Sequence, residues 1–267
     1  MYHPSTWRLL NTGENDGPTN MAIDEAILRG VAEGSSPPTL RFFAWQPACL
    51  SLGQAQPAAD IDLAACQARG IDIVRRPTGG RAILHVDELT YSVTAREDEP
   101  RVHGGIVESY RRLSEGLLAG LMRIGLPVRQ VERPDSHDRD QGPVCFESPS
   151  NYEIVFDSHK LVGSAQVRKS SVVLQHGTLP LVGDITRICE VLKSRPDPDR
   201  VRTRAITVES AIGRRMTFDA AAQAMMEGFA AALNLSFEPG GLTGDERAWA
   251  EELRRDKYAA ESWMYRI

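Results

Sequence analysis

Four cysteines, Cys49, Cys66, Cys145 and Cys189, are scattered through the chain without the CxxC spacing of a zinc ribbon or the regular pattern of a disulfide framework. Cys66 and Cys189 fall on the apolar faces of short helical patterns and read as packing. Cys145 differs: it stands in a Gly-Pro-bounded loop, GPVCFESPS, among polar residues. A thiol does nucleophilic chemistry as the thiolate, which needs a depressed pKa or a nearby cation. Lys160 could supply that cation. NYEIVF alternates like a strand, Asp157-Ser158-His159 turns the chain, and Lys160 leads into the small-residue segment LVGSAQ. A hairpin of this kind brings its ends together, so Cys145 and Lys160 could meet at the mouth of one pocket. The competing reading, a partly buried inert thiol, stays open on these residues alone.

A second stretch, RRPTGGRAILH, places Thr78, Gly79 and Gly80 between strands. Adjacent glycines permit positive φ and close approach of backbone to a ligand, and Arg75, Arg76 and Arg81 would greet an anionic one. Hairpin turns use the same residues, so turn and ligand loop are equally served. His85 is a base, a pocket-wall hydrogen bonder or a structural histidine. In TLRFFAW the aromatics Phe42, Phe43 and Trp45 occupy both parities, which suits either a pocket-facing side chain or a strand buried on both faces. Asp135, His137, Asp138 and Asp140 have no regular ligand order and are interrupted by arginines; this is a solvated loop, and no metal is expected. Asp24 and Glu25, in the first two turns of a helix, favour its dipole.

The elements that must position these groups follow from periodicity and punctuation. Thr19 caps a helix from Asn20 with Met21, Ile23, Ala26, Ile27 and Val31 as its apolar stripe. TLRFFAW and CLSLGQ are strands parted by Gln46-Pro47, Asp60 caps a short helix, and IDIVRRPTGGRAILHVDELTYSV is strand, glycine turn, strand and strand. Apolar residues at intervals of three and four make 104–125 a scaffold helix. SVVLQHGTLPLV is a strand, Asp184 caps ITRICEVLK, SRPDPDRVRTR is a linker, and helices over 217–234 and 243–260 are parted by PGG. The chain divides into a catalytic region, 1–195, and a helical extension packed on it, 196–267, or forms one single domain. With 42% hydrophobic residues the chain can bury a sizeable core, and a net charge of −5 argues against a general nucleic-acid binder. No apolar run approaches the ~18 residues of a membrane span, and the first residues open no signal peptide, so a cytoplasmic protein with no membrane partner is expected.

The motifs NMAIDEAIL, RFFAWQPACLSLGQAQ, RRPTGGRAILH, ELTYSV, KLVGSAQ and LQHGTL, in that order over 19–181, resemble the lipoate–biotin protein ligase and octanoyltransferase superfamily. The resemblance implies an α+β fold, with a mixed or antiparallel sheet, flanking helices and a helical C-terminal segment. It also implies an acyl tunnel lined by the glycine turn and its neighbours. Arg76, Thr78, Gly79, Gly80, His85, Phe43 and Trp45, with Leu84, are then substrate-binding, and Lys160, Gly163 and Ala165 occupy the lysine motif. Ser164 and His176 join the binding set through the same motifs. Two departures choose a branch. Lipoate ligases that use ATP carry a third glycine and then His-Asp, where this chain has Arg81 and Val86. The Gly-Arg-Gly-Arg of biotin ligases is missing.

GGRAILH, ELTYS and the cysteine of CFESPSNYE instead look like the octanoyltransferases of Gram-positive bacteria, whose nucleophile precedes the motif lysine. The implied reaction moves octanoyl from octanoyl-acyl carrier protein to Cys145 and on to a lysine of a lipoyl-domain protein such as glycine-cleavage H protein. It needs no cofactor. Three rival readings are a relay amidotransferase between lipoyl domains, an ATP-dependent lipoate ligase and a non-catalytic acyl-binding or interaction module. Arg168, Lys169 and the arginines at 200, 202 and 204 are candidates for a docking surface, with a solvated basic face as the alternative.

Overall fold

The computed structural model describes residues 2–131, 143–145 and 153–267. In chain order it contains β1 (Ser5–Asn15), α1 (Gly17–Glu33), β2 (Thr39–Trp45), β3 (Cys49–Leu52), α2 (Leu63–Ala68), β4 (Asp72–Arg75), β5 (Ile83–His85), β6 (Glu88–Arg96), α3 (Ile106–Arg123) and β7 (Arg129–Val131). β8 (Glu153–Phe156), β9 (His159–Lys169), β10 (Val172–Pro180), α4 (Pro198–Arg202), α5 (Val208–Ile212), α6 (Phe218–Leu233), β11 (Leu235–Pro239), α7 (Gly244–Leu253) and α8 (Glu261–Met264) follow. One mixed sheet runs β11-β1-β2-β6-β10-β9-β8-β7, and a smaller one runs β4-β3-β5. β1 pairs in parallel with β11 and β2; β2, β6, β10, β9, β8 and β7 pair antiparallel in turn. This is the expected α+β architecture.

β2 shows why both parities are apolar. Phe42 enters a core with Tyr91, Val93 and the α3 and α6 side chains Leu113, Leu117, Met225 and Phe229. Phe43 enters the core of the opposite face with Met21, Ile27 and Leu174. The large sheet is covered on both faces, and each aromatic of the pair serves one of them. The β8–β9 hairpin turns at Asp157 and Ser158, with φ of 45° and 68°. Two positive φ values in a two-residue turn match the right-handed twist of the strands it joins.

Three spacing-based expectations shift. α1 starts at Gly17, not Asn20, because the Asp16 carboxylate accepts from Thr19 N at 2.7 Å and Pro18 sits in the first turn, where no N–H is missed. Asp24 and Glu25 therefore lie mid-helix, away from the dipole end. Asp62 rather than Asp60 caps α2. The linker-like SRPDPDRVRTR holds α4, for Asp197 followed by Pro198 is a helix start inside a linker composition. Thr217 and Thr243 cap α6 and α7 as their spacing predicts. β1 and β11 were not legible; a buried Arg8–Glu246 pair at 2.6 Å ties β1 to α7. Among the described residues, no helix is long and apolar enough to cross a membrane.

Candidate active site

Cys145 is half-buried, whereas Cys49, Cys66 and Cys189 are buried. Burial pushes the Cys66 thiol up to about 11 and the Cys49 thiol well above its ordinary value, so both stay protonated and unreactive at neutral pH. Cys145 is fastened to the segment just past the glycine turn: its N–H donates to Ala82 O at 3.0 Å, and Ala82 N–H donates to Pro143 O at 3.1 Å. Lys160 Nζ, delivered by β9, donates to the carbonyl of Cys145 at 3.1 Å and faces Glu153 Oε1 of β8 at 3.3 Å. Its backbone is held from the other side, where Lys160 N–H donates to Arg204 O and Ile206 N–H donates to Lys160 O. The segment beyond α4 thus braces the lysine.

The glycine turn is built around Arg76. Its guanidinium donates to Ser51 O, Ser51 Oγ, Gly79 O and Arg81 O at 2.7–3.1 Å. Burial lowers its pKa to about 10, against the pull of nearby Cys145. Nε of Arg76 is buried without a hydrogen-bond partner among the described residues. Gly80 has φ of +95°, and a Cβ on Gly53 would fall 1.9 Å from Gly80 O; the turn is seated directly on β3's end. Arg75 does not greet an anion. It donates to Gly53, Gln54 and Gln56 carbonyls and, through Nε and Nη2, to Met264 O, anchoring the turn to α8.

Beside Cys145 lies a slot with about 420 Å³ of space between atoms, walled by Met21, Trp45, Ile83, Gly163 and Ala165 and edged by Ser51, Arg76, His85, Ser164 and His176. Two polar chains support its walls. In one, Ser51 Oγ lies 2.7 Å from His85 Nε2 and His85 Nδ1 lies 2.7 Å from Glu88 Oε1. Thr90 donates to the same carboxylate oxygen and accepts from Trp45 Nε1 at 2.8 Å, and the Trp45 ring stacks on His85 at 4.0 Å. In the other, Thr78 Oγ1 lies 2.7 Å from His176 Nε2, and His176 Nδ1 lies 3.1 Å from Asp24 Oδ2. Asp24 also accepts from Arg41 at 2.7 Å and Ser92 at 2.8 Å. Burial pushes the Asp24 carboxyl up, and Arg41, His176 and Ser92 more than offset it, leaving its pKa below the usual range. Burial lowers the His176 imidazole despite the attraction of Asp24.

The lipoyl protein ligase A/B catalytic domain model matches residues 16–230. The chain is 46% identical to an octanoyltransferase LipM of Moorella thermoacetica, over 98% of both chains, and 44% identical to one of Kyrpidia tusciae, over 98% and 99%. The chain belongs to this family, on its octanoyltransferase branch. Among solved structures, lipoate-protein ligase A bound with ATP superposes with a TM-score of 0.83 at 26% identity, covering 98% of this chain and 100% of that one. A bipartite lipoate protein ligase of Thermoplasma acidophilum superposes at 0.81 and 26%, covering 98% and 97%.

Of the residues singled out by sequence, Cys145, Arg76, Gly80, His85, Trp45, Gly163, Ser164, Ala165 and His176 share the slot. Lys160 stands at its Cys145 edge. Thr78 and Gly79 act one step back, through His176 and Arg76. Phe43 is fully buried under the Arg41 guanidinium, 3.8 Å from its ring centre, and Leu84 faces a neighbouring cleft. Among the candidate docking cations, Arg168 donates to Val102 and Gly105 carbonyls, Lys169 pairs with Glu25 at 2.8 Å and Arg202 pairs with Asp199 at 2.9 Å. The acidic loop at 135–140 lies outside the described residues; among those described, no group of three or more potential ligands could hold a metal.

Sequence reasoning missed Ser51, Glu88 and Glu153, and it misread Asp24 and Glu25. Glu25 is a structural anchor: burial raises its carboxyl, but Lys169, Lys257 and Tyr258 hold it down at about 2. A signal was present in NMAIDEAIL, since Asp24 falls three residues after Met21 and three before Ile27, on the apolar stripe itself.

Proposed function

We propose that this protein is an enzyme that takes an octanoyl group from octanoyl-acyl carrier protein onto Cys145 as a thioester and passes it to a lysine of a lipoyl-domain protein. The observation that carries this reading is the placement of Cys145: a half-buried thiol at an apolar slot, beside one arginine and one lysine. The relatives named octanoyltransferase supply the acyl group, and the T. acidophilum ligase, solved with its E2 lipoyl domain, supports a lipoyl-domain acceptor. Both partners being cytoplasmic proteins, the reaction belongs to the cytoplasm.

The thiolate of Cys145 attacks the carrier thioester, and the slot takes the alkyl tail. Burial of that tail contributes ~0.8 kcal/mol per methylene, enough to select chain length without polar contacts. Lys160 Nζ and the buried Nε of Arg76 are the donors for the developing oxyanion. A thioester is already activated, so neither step requires ATP. Arg81, where ATP-using ligases have glycine, fits this reading.

Intact-mass measurement after mixing the protein with octanoyl-acyl carrier protein, without ATP, tests it. The expected result is a gain of one octanoyl group, absent in Cys145→Ser, with transfer to an apo lipoyl domain reduced more than about a thousandfold in the variant. An unmodified wild-type protein under turnover conditions overturns the reading. Pyrophosphate release with free lipoate would point to a ligase, and preference for an octanoylated lipoyl domain as donor would point to relay amidotransfer.

A further inference from the structure

The reaction just proposed has an unequal proton balance, and the inference here rests on it. In the first step a C–S bond forms to Cys145 and the carrier's C–S bond breaks, while the thiol proton ends on the departing carrier thiolate; no net proton is released. In the second, a C–N bond forms and the Cys145 C–S bond breaks. The attacking ammonium gives up two protons, of which one ends on the Cys145 sulfur. The other must be taken by a base.

We propose that Ser51, His85 and Glu88 form that base, with Ser51 passing the acceptor's proton to His85 Nε2 and Glu88 positioning the ring. The direction of every hydrogen bond in the chain is fixed by its ends. Trp45 Nε1 can only donate, so Thr90 accepts from it and gives its own hydrogen to Glu88. An ionised Glu88 only accepts, so His85 carries its proton on Nδ1 and leaves the Nε2 lone pair toward Ser51. Arg76 Nη1 donates to Ser51 Oγ at 3.1 Å, which leaves the Ser51 hydrogen for His85. Ser51 and His85 both line the slot that Cys145 lines.

The carboxylates of the two histidine chains differ in what pairs with them. Glu88 is buried and has no Lys or Arg partner among the described residues; His85 is its one ion-pair partner. A proton arriving at His85 therefore makes a buried imidazolium–carboxylate pair out of a lone buried charge. Arg76, through Ser51, and His176, across the slot, face the same ring, as does the Cys145 edge. At His176 the carboxylate is already matched by Arg41, so a proton there would add an uncompensated charge. Lys160 is engaged as a donor to the Cys145 carbonyl and against Glu153.

The test separates the two half-reactions. The octanoyl-Cys145 protein is formed with octanoyl-acyl carrier protein, freed of donor, and mixed with an apo lipoyl domain, and both species are followed by intact mass. In His85→Gln, transfer at about pH 7 is expected to fall about 100-fold, and by at least tenfold more than thioester formation falls in the same variant. Glu88→Gln and Ser51→Ala are expected to lose about 10-fold in transfer. The deficit closes as pH rises toward about 10, where the acceptor lysine loses its proton to bulk water; a purely structural role would leave it unchanged. Transfer within about twofold of wild type in folded variants, or an equal deficit at both pH values, overturns the proposal. If His85→Gln does not fold, Ser51→Ala and Glu88→Gln decide it by the same criterion. A wild-type protein that forms no thioester sinks the octanoyltransferase reading itself, and this proposal with it.

Discussion

The two histidine chains beside the slot have the same parts in the same order: a hydroxyl, an imidazole bonded through Nε2, and a carboxylate at Nδ1. They differ in the far group. Asp24 meets the guanidinium of Arg41, while Glu88 meets the hydroxyl of Thr90. A carboxylate with its charge already matched serves the fold: it holds α1 to β2 and β10, and it orients His176 against Thr78. Glu88, with no lysine or arginine partner among the described residues, has His85 as its ion-pair partner. If His85 is the base proposed above, the triad pattern alone does not mark a reactive histidine; the partner of its carboxylate does.

The largest expected effect breaks the structural side. Asp24→Asn leaves the fully buried Arg41 without its counter-charge and should cost about 3–5 kcal/mol of unfolding free energy, read by urea denaturation. Glu88→Gln removes no ion pair with a permanent cation and should cost only about 1–2 kcal/mol while lowering transfer. If Glu88→Gln proves the more destabilising of the two, the distinction between the chains is lost.

A smaller effect checks that selection of the alkyl chain does not depend on Glu88. Replacing the octanoyl donor by hexanoyl removes two methylenes of burial, about 1.6 kcal/mol or roughly 15-fold in kcat/KM, and the factor should be the same in wild type and Glu88→Gln. A factor that collapses in the variant would mean that Glu88 shapes the slot rather than the proton transfer.

The smallest effect is in the acid dependence of stability. Because the folded His176 has a lowered pKa, the unfolded chain takes up its proton first as pH falls. The stability from keeping this ring neutral is complete above about pH 6.5 and is lost as pH drops toward the lowered value, at no more than about 1.4 kcal/mol per pH unit. His176→Gln should flatten the slope of unfolding free energy between about pH 7 and about pH 5.5. An unchanged slope would show that His176 is not held neutral by its surroundings.

What could be read from the sequence was local. The β8–β9 hairpin, α3 and the capped starts of α6 and α7 are set by residues within a few positions of one another, and each is where its pattern puts it. β1 and β11 are set by their pairing across the chain, Ser5 opposite Leu235, and β1 carries an inward arginine where an apolar residue would have announced a strand. The site divides in the same way. Cys145 and the glycine turn stand out by composition, but Glu88 passes for a polar residue at a strand start. The significance of Asp24 depends on Arg41 and on His176, 152 residues away. Ser51 becomes notable only once β3 and β5 lie side by side, bringing His85 to it.

Arg75 joins carbonyls at 53–56 to Met264, 189 residues from itself. Contacts of such sequence separation carry a large loop-closure cost and form late on the way to the native state. The hairpin of Lys160 can form early from neighbouring residues, but Arg75, next to the Arg76 of the glycine turn, gains its Met264 partner only when α8 docks. During refolding, octanoyl uptake by Cys145 should therefore lag behind the recovery of helix and sheet.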